Sequence, residues 1–128
     1  MSLQKTLTDI IKSSKEDPKD VFQKLVKLQE ETGELADAAL RRSGLKNPKN
    51  KTIEQLDEAV LEEIADVIMI VTALLPHFDF KIQDLTRALE FKYDKWQSKF
   101  DKYPKWKSNL ERYREYQIGT ENGYNQES

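Results

Sequence analysis

Two short acidic clusters carry the residue types and spacing that could do chemistry in this chain of 128 residues: Glu30-Glu31-Thr32-Gly33-Glu34 and, 28 residues past Glu34, Glu62-Glu63-Ile64-Ala65-Asp66. Glu31 with Glu34, and Glu63 with Asp66, stand three residues apart, so on helices each pair shares a face about one turn apart. Where two such faces meet, four carboxylates converge. Like charges a few Å apart in a partly dry site force protonation or demand cations, and hard divalent ions with oxygen ligands are the natural relief. An oxygen-only donor set points to Mg²⁺, with Mn²⁺ as the second choice. Mg²⁺ held by a few carboxylates keeps positions for water and phosphate oxygens, which makes a nucleotide the expected ligand.

A single Glu on a helix is most often just solvated, and that bland alternative must be weighed. For the second cluster the helical wheel argues against it. At about 100° per residue, Glu63 and Asp66 point with Ala59, Ile70 and Ala73, while Glu58 and Glu62 point the opposite way. Two acids thus interrupt an apolar strip, where leaving them unpaired would cost several kcal/mol each. The first cluster is weaker on its own, since Glu31 lies at the edge of its stripe and Glu34 beside Lys27 and Ala38. The two motifs sit on successive helices, however, and Glu34 and Glu63 lie about 13 and 16 residues from the middle of the intervening loop near residue 47, at nearly the same height in an antiparallel hairpin. A di-iron carboxylate site would need Glu-x-x-His motifs. The one histidine, His77, follows Leu74 at that spacing and is read as a turn residue.

The elements that must position these acids are helices. Residues 3–15 carry Leu3, Leu7, Ile10 and Ile11 at helical spacing. Asp17-Pro18 is a start signal for a second helix running to Arg42 before Gly44, with Gly33 in its interior at a cost of about 1 kcal/mol against Ala. That glycine either admits close approach by a neighbour or is merely tolerated. A polar loop over 43–51 leads to Thr52-Ile53-Glu54-Gln55, a capping box that opens a third helix reaching Leu75. Its main stripe is Ile53, Leu56, Val60, Ile64, Val67, Ile68, Val71, Leu74 and Leu75, and the run from Val67 to Leu75 is apolar nearly all round, so enclosure on more than one side is expected. A fourth helix is expected over 81–102, helical turns over 106–116, and a disordered tail over 117–128. The spacing predicts an all-α fold: a single domain over 1–116, an antiparallel bundle of four to five helices.

Composition bounds the class. At 38% hydrophobic and 34% charged residues the core is thin, so completion by a second subunit is expected. There is no cysteine, hence no disulfide or thiolate site, and no apolar run long enough to span a bilayer, so the expected location is cytoplasmic with no membrane partner. Net charge is −2, yet between Arg87 and Tyr116 nine Lys or Arg stand against five acids, with eight of the twelve aromatics. Lys92, Lys95 and Lys99 fall on one flank of the fourth helix and are candidate phosphate contacts; the alternative is a solvated flank whose stems cover apolar surface. This local excess on an acidic chain does not support nucleic acid as a partner. Trp96 is expected in the core.

The two clusters, Glu30-Glu31-Thr32-Gly33-Glu34-Leu35 and Glu62-Glu63-Ile64-Ala65-Asp66-Val67, resemble the E-E-x-x-E and E-x-x-D signature of the MazG-type, all-α nucleoside triphosphate pyrophosphohydrolases. The match covers mainly residues 20–104. Lys95 to Pro104 is similar to a Lys-x-x-x-Asn-x-x-Lys-Tyr-Pro pattern of some relatives, with Lys99 in place of Asn. The resemblance implies Mg²⁺-dependent hydrolysis of a nucleoside or deoxynucleoside triphosphate to monophosphate and pyrophosphate by a homodimer or homotetramer. It makes Glu31, Glu34, Glu63 and Asp66 the metal ligands, with Glu30 a base or supporting residue. Two other readings stay open: a non-catalytic relative that binds nucleotide or metal, and a purely structural helical interaction module.

Overall fold

The computed structural model describes residues 1–100 and Ile118, and the described chain is helical, with no strand among those residues. Four α-helices follow one another: α1 (Leu3–Ser14), α2 (Val21–Arg42), α3 (Ile53–Leu74) and α4 (Ile82–Phe100), with a 3-10 turn over Leu75–Phe78 between the last two. The helical turns expected over 106–116 and the tail from 117 lie outside the described residues, apart from Ile118, which is helical and exposed. The chain divides into two compact units, Met1–Leu85 and Thr86–Ser128.

Local signals set the helix ends. Ser2 caps α1 by accepting from the Lys5 amide at 3.1 Å. Helix α2 starts at Val21, not at Asp17-Pro18, because Asp17 still donates its amide to Ser14 O at the end of α1. Asp20 is the true cap: it accepts from the Gln23 amide at 2.8 Å while Gln23 Oε1 accepts from the Asp20 amide at 2.9 Å. Gly44, at φ +78°, ends the run after Arg42. Thr52 and Gln55 form the expected capping box of α3, and Leu75 passes into the 3-10 turn, which Asp79 ends at φ +58°.

Within the first unit α2 and α3 make the most extensive contact, and α1 packs on α3. The hairpin is antiparallel, since Arg42 pairs with Asp57 next to the loop while Glu31 meets Glu63 and Asp66 farther along. The apolar core is thin, with Ile11 and Leu56 the buried hydrophobic side chains among the described residues. The expected enclosure of Val67 to Leu75 is met only in part. Thr72 is buried and Ala73 to Leu75 are half-buried, yet Ile68, Met69 and Val71 remain exposed. Three helices leave one side of α3 uncovered, and Leu61 and Ile64 continue that open side toward the loop.

A buried polar contact joins the far ends of α1, α2 and α3. Ser14 Oγ donates to Ala73 O at 2.7 Å, and Lys24 Nζ donates to Ser14 Oγ at 2.9 Å and to Ala73 O at 3.4 Å. Lys24 is 5% exposed and forms no ion pair among the described residues, so backbone and hydroxyl oxygens alone solvate its ammonium. On α4, Trp96 meets Phe100 edge-on at 4.7 Å between ring centroids and Tyr93 at 6.2 Å. Trp96 was expected in the core but is 55% exposed, half its surface being left open by these ring contacts.

Candidate metal centre

Helices α2 and α3 bring Glu31, Glu63 and Asp66 together, with one carboxylate oxygen from each lying within 4.8 Å of the other two. The inward strip of α3 carries Glu63, while Asp66, expected on the same strip, is exposed at its edge. Leu56 is buried and Ala59 and Glu63 are half-buried toward α2, whereas Glu58 and Glu62 face out. Glu31 enters from α2 and is only 5% exposed. Its Oε1 pairs with Lys27 Nζ at 3.1 Å; its Oε2, like Glu63 Oε2, is buried without a hydrogen-bond partner. Two buried carboxylate oxygens left without partners, on residues of one tight acidic group, call for something positive nearby.

The electrostatics agree with the geometry. Burial first, and then the negative charges of Glu34, Glu31 and Asp66, hold the Glu63 carboxyl above the usual glutamate range. Glu34 is also raised, chiefly by the charge on Glu31. Glu31 goes the other way, lowered by its bond to Lys27 against the opposing effect of burial. The cluster thus holds more negative charge than its one lysine neutralises. Three hard oxygen donors from two rigid helices, two of them unbonded, fit a divalent cation of the Mg²⁺ or Mn²⁺ type.

The other expected site residues take different places. Glu34 flanks the three acids, close enough to be perturbed by Glu31, and lies outside their tight group. Glu30 turns toward Lys27 Nζ at 3.5 Å. Lys92, Lys95 and Lys99 are exposed on α4 within the second unit, and Lys102 to Pro104 fall outside the described residues. His77 is exposed in the 3-10 turn, as a turn residue should be.

Beside the acids lies a cleft of about 420 Å³. Glu30, Gly33, Glu34, Asp37 and Arg41 wall it from α2, and Leu56, Ala59 and Glu63 from α3. Lys49 and Lys51 of the connecting loop close its end. The sequence places Lys27 beside Glu34 without assigning it a role, and does not single out Lys49 or Lys51. For Lys27 the signal was present, because it precedes Glu30 and Glu31 by three and four residues, the spacing at which opposite charges meet on a helix. For the loop lysines no periodicity marks which of several polar residues turn inward. No family model, curated protein or solved structure matches this chain. No helix among the described residues is long and apolar enough to cross a membrane.

Proposed function

We propose that this protein is a Mg²⁺-dependent nucleoside triphosphate pyrophosphohydrolase of the MazG type, cleaving a nucleoside or deoxynucleoside triphosphate at the α-phosphorus to the monophosphate and pyrophosphate. The observation that carries the reading is the meeting of Glu31, Glu63 and Asp66 across two helices with Glu31 and Glu63 each leaving a buried carboxylate oxygen unbonded. Glu31, Glu63 and Asp66 hold the ion, and Glu34 at the edge of the group is the fourth candidate ligand. Mg²⁺ bound there supplies charge neutralisation at phosphate oxygens and acidifies water for attack on phosphorus. The rigid i, i+3 spacing on α3 fixes Glu63 and Asp66 relative to each other, so the donors are placed before substrate arrives. Lys27 offsets part of the negative charge from one side of Glu31 and leaves the other side open.

A homodimer or homotetramer belongs to the same proposal. The open apolar side of α3, with Leu61, Ile64, Ile68 and Val71 on one stripe, is the surface a second copy would cover. A cytoplasmic location is likewise proposed from the cysteine-free composition.

The test is a panel of natural and damaged NTPs and dNTPs with Mg²⁺, scoring pyrophosphate against phosphate release for the parent and for Glu63→Gln. Pyrophosphate release that falls at least about 100-fold in the variant is the expected result, the scale of removing one ligand from a metal that stabilises the transition state by several kcal/mol. A variant as active as the parent removes Glu63 from the mechanism, and binding of nucleotide with no pyrophosphate release by the parent leaves a non-catalytic relative.

A further inference from the structure

We propose that Lys49 and Lys51, on the loop between α2 and α3, bind the β- and γ-phosphates of the substrate, the portion that departs as pyrophosphate. This rests on the pyrophosphohydrolase reading and assigns the direction in which the triphosphate lies. Most other cations of the hairpin have a carboxylate partner: Lys27 has Glu30 and Glu31, Arg41 and Lys46 share Asp37, and Arg42 has Asp57, while Lys24 is buried against Ser14 Oγ and Ala73 O. Lys49 and Lys51 have none among the described residues, although they line the same cleft as Glu34 and Glu63. The cleft is therefore lined both by unpaired lysines of the loop and by Glu63, one of whose carboxylate oxygens is orphaned. A ligand that is anionic along its length and carries a cation at one end matches that charge pattern, and a metal-bound polyphosphate is such a ligand.

The loop is held so as to present both lysines. Arg41 donates to Asn47 O, Asn47 Oδ1 accepts from the Lys49 amide at 2.8 Å, and the Lys51 amide donates to Pro48 O at 3.2 Å. From Glu34 to Arg41 is seven residues of α2, or about 10 Å along its axis. The lysines at the Arg41 end thus lie beyond the first phosphate, not beside it. On the other side of Glu30 a second cavity, of about 560 Å³, is walled by Ile10, Val26, Met69, Ile70 and Ala73 among others. Most of its open surface is apolar, which suits a ring and sugar, and Lys19, Lys24 and Lys27 line it as well. In the reaction water adds to the α-phosphorus, the bond from that phosphorus to the bridging oxygen breaks, the electron pair leaves on pyrophosphate, and the proton lost by the water passes to solvent. Charge then builds on the group facing Lys49 and Lys51.

The experiment measures binding of pyrophosphate and of nucleoside monophosphate, each with Mg²⁺, by calorimetry and by product inhibition. The proteins are the parent, the double variant Lys49→Met/Lys51→Met, and a charge-matched control, Lys12→Met/Lys15→Met at the C-terminal end of α1. The loop variant should bind pyrophosphate about tenfold more weakly, the scale of two exposed charge contacts, with its melting temperature, Mg²⁺ affinity and monophosphate affinity unchanged. The control should behave as the parent. Pyrophosphate binding that survives in the loop variant, or a monophosphate affinity that falls as much as that for pyrophosphate, overturns the assignment and leaves the enzyme reading standing. A parent that neither hydrolyses any nucleotide nor binds Mg²⁺-pyrophosphate overturns both.

Discussion

Lys27 places its Nζ 3.1 Å from Glu31 Oε1, one turn along α2, and so satisfies one oxygen of a carboxylate whose other oxygen has no partner. The lysine and a metal ion are therefore partial competitors for the same negative charge. In Lys27→Met the cluster loses its internal cation, so the variant should melt lower than the parent in EDTA and bind Mg²⁺ or Mn²⁺ about threefold more tightly, a small factor because the pair is partly solvated. Calorimetric titration decides it. Weaker metal binding in the variant would make Lys27 a support for the ion and not a substitute.

The pH dependence of stability follows from the signs of the shifts. Glu63 and Glu34 are raised above the ordinary glutamate value of 4.5, so the folded state holds their protons more tightly than the unfolded chain does. Stability from these two falls as pH rises from 4.5 through the raised values. Glu31 and Asp37 are lowered, Asp37 chiefly by Lys46, and their contribution is complete above their unfolded values and lost as pH falls through the lowered ones. In EDTA the melting temperature should therefore decline from mildly acidic toward neutral pH, and Mg²⁺ should abolish the decline. Glu63→Gln should melt higher than the parent in EDTA at neutral pH, with the gap closing toward pH 4.5 and vanishing with Mg²⁺. Identical profiles for variant and parent in EDTA would show that Glu63 is not under electrostatic stress.

At Ser14 and Lys24 the prediction separates a lost hydrogen bond from a lost charge. Ser14→Ala leaves the buried Lys24 ammonium with Ala73 O at 3.4 Å as its remaining partner, which should cost about 1–3 kcal/mol. Lys24→Met replaces the ammonium with an apolar chain of similar length and should cost less, since the charge that needs solvating is gone. Urea denaturation of both variants gives the order. A Lys24→Met loss larger than that of Ser14→Ala would point to an anionic partner for Lys24 in the assembled protein.

Much of this arrangement was legible in the sequence because helical periodicity is a strong signal. Ile53 to Leu74 and the Thr52 cap were readable from apolar spacing and one capping box, and the inward direction of Glu63 followed from the company of Ala59 and Ile70. Where the reading failed, competition between neighbouring signals explains it. Asp17-Pro18 and Asp20 both offer caps, and the hydrogen bond from Asp17 to Ser14 spends the first on ending α1. Periodicity gives the width of the α3 stripe but not how many neighbours are there to cover it, hence the unexpected exposure of Ile64 and Ile68. Tertiary placement of the loop residues Lys49 and Lys51 leaves no periodic trace, whereas buried Lys24 stands three residues past Val21 and four before Leu28, on the stripe of α2.

Gly33 divides the two readings the sequence left open. A Cβ built there meets nothing within 4 Å, so no neighbour within the chain needs the glycine. Gly33→Ala should stabilise the protein by about 0.5–1 kcal/mol, the difference in helix propensity at an interior position. Because Gly33 also lines the acidic cleft, the same variant reports on the ligand: a gain in stability together with unchanged nucleotide KM shows that the residue is only tolerated, and a raised KM shows that substrate approaches its backbone.

The open side of α3 leads to the last prediction. Leu61, Ile64, Ile68 and Val71 recur at spacings of three and four, and Ile64 and Ile68 are 39% and 41% exposed in the single chain. An apolar stripe of this length, next to a core of only two buried apolar side chains among the described residues, stabilises a fold only when a second surface covers it. Parent protein should therefore run as a dimer or tetramer by size exclusion with light scattering. Ile68→Lys would bury an unpaired ammonium at the seam, so it should weaken association at least about 100-fold and yield monomer at micromolar concentration. Helical content measured by circular dichroism should persist if α1 to α3 hold together alone and drop if the seam is part of the core, which separates an assembly built from folded subunits from one in which folding and association are a single event. A parent that is monomeric at the highest soluble concentration would leave this stripe without the partner its composition calls for.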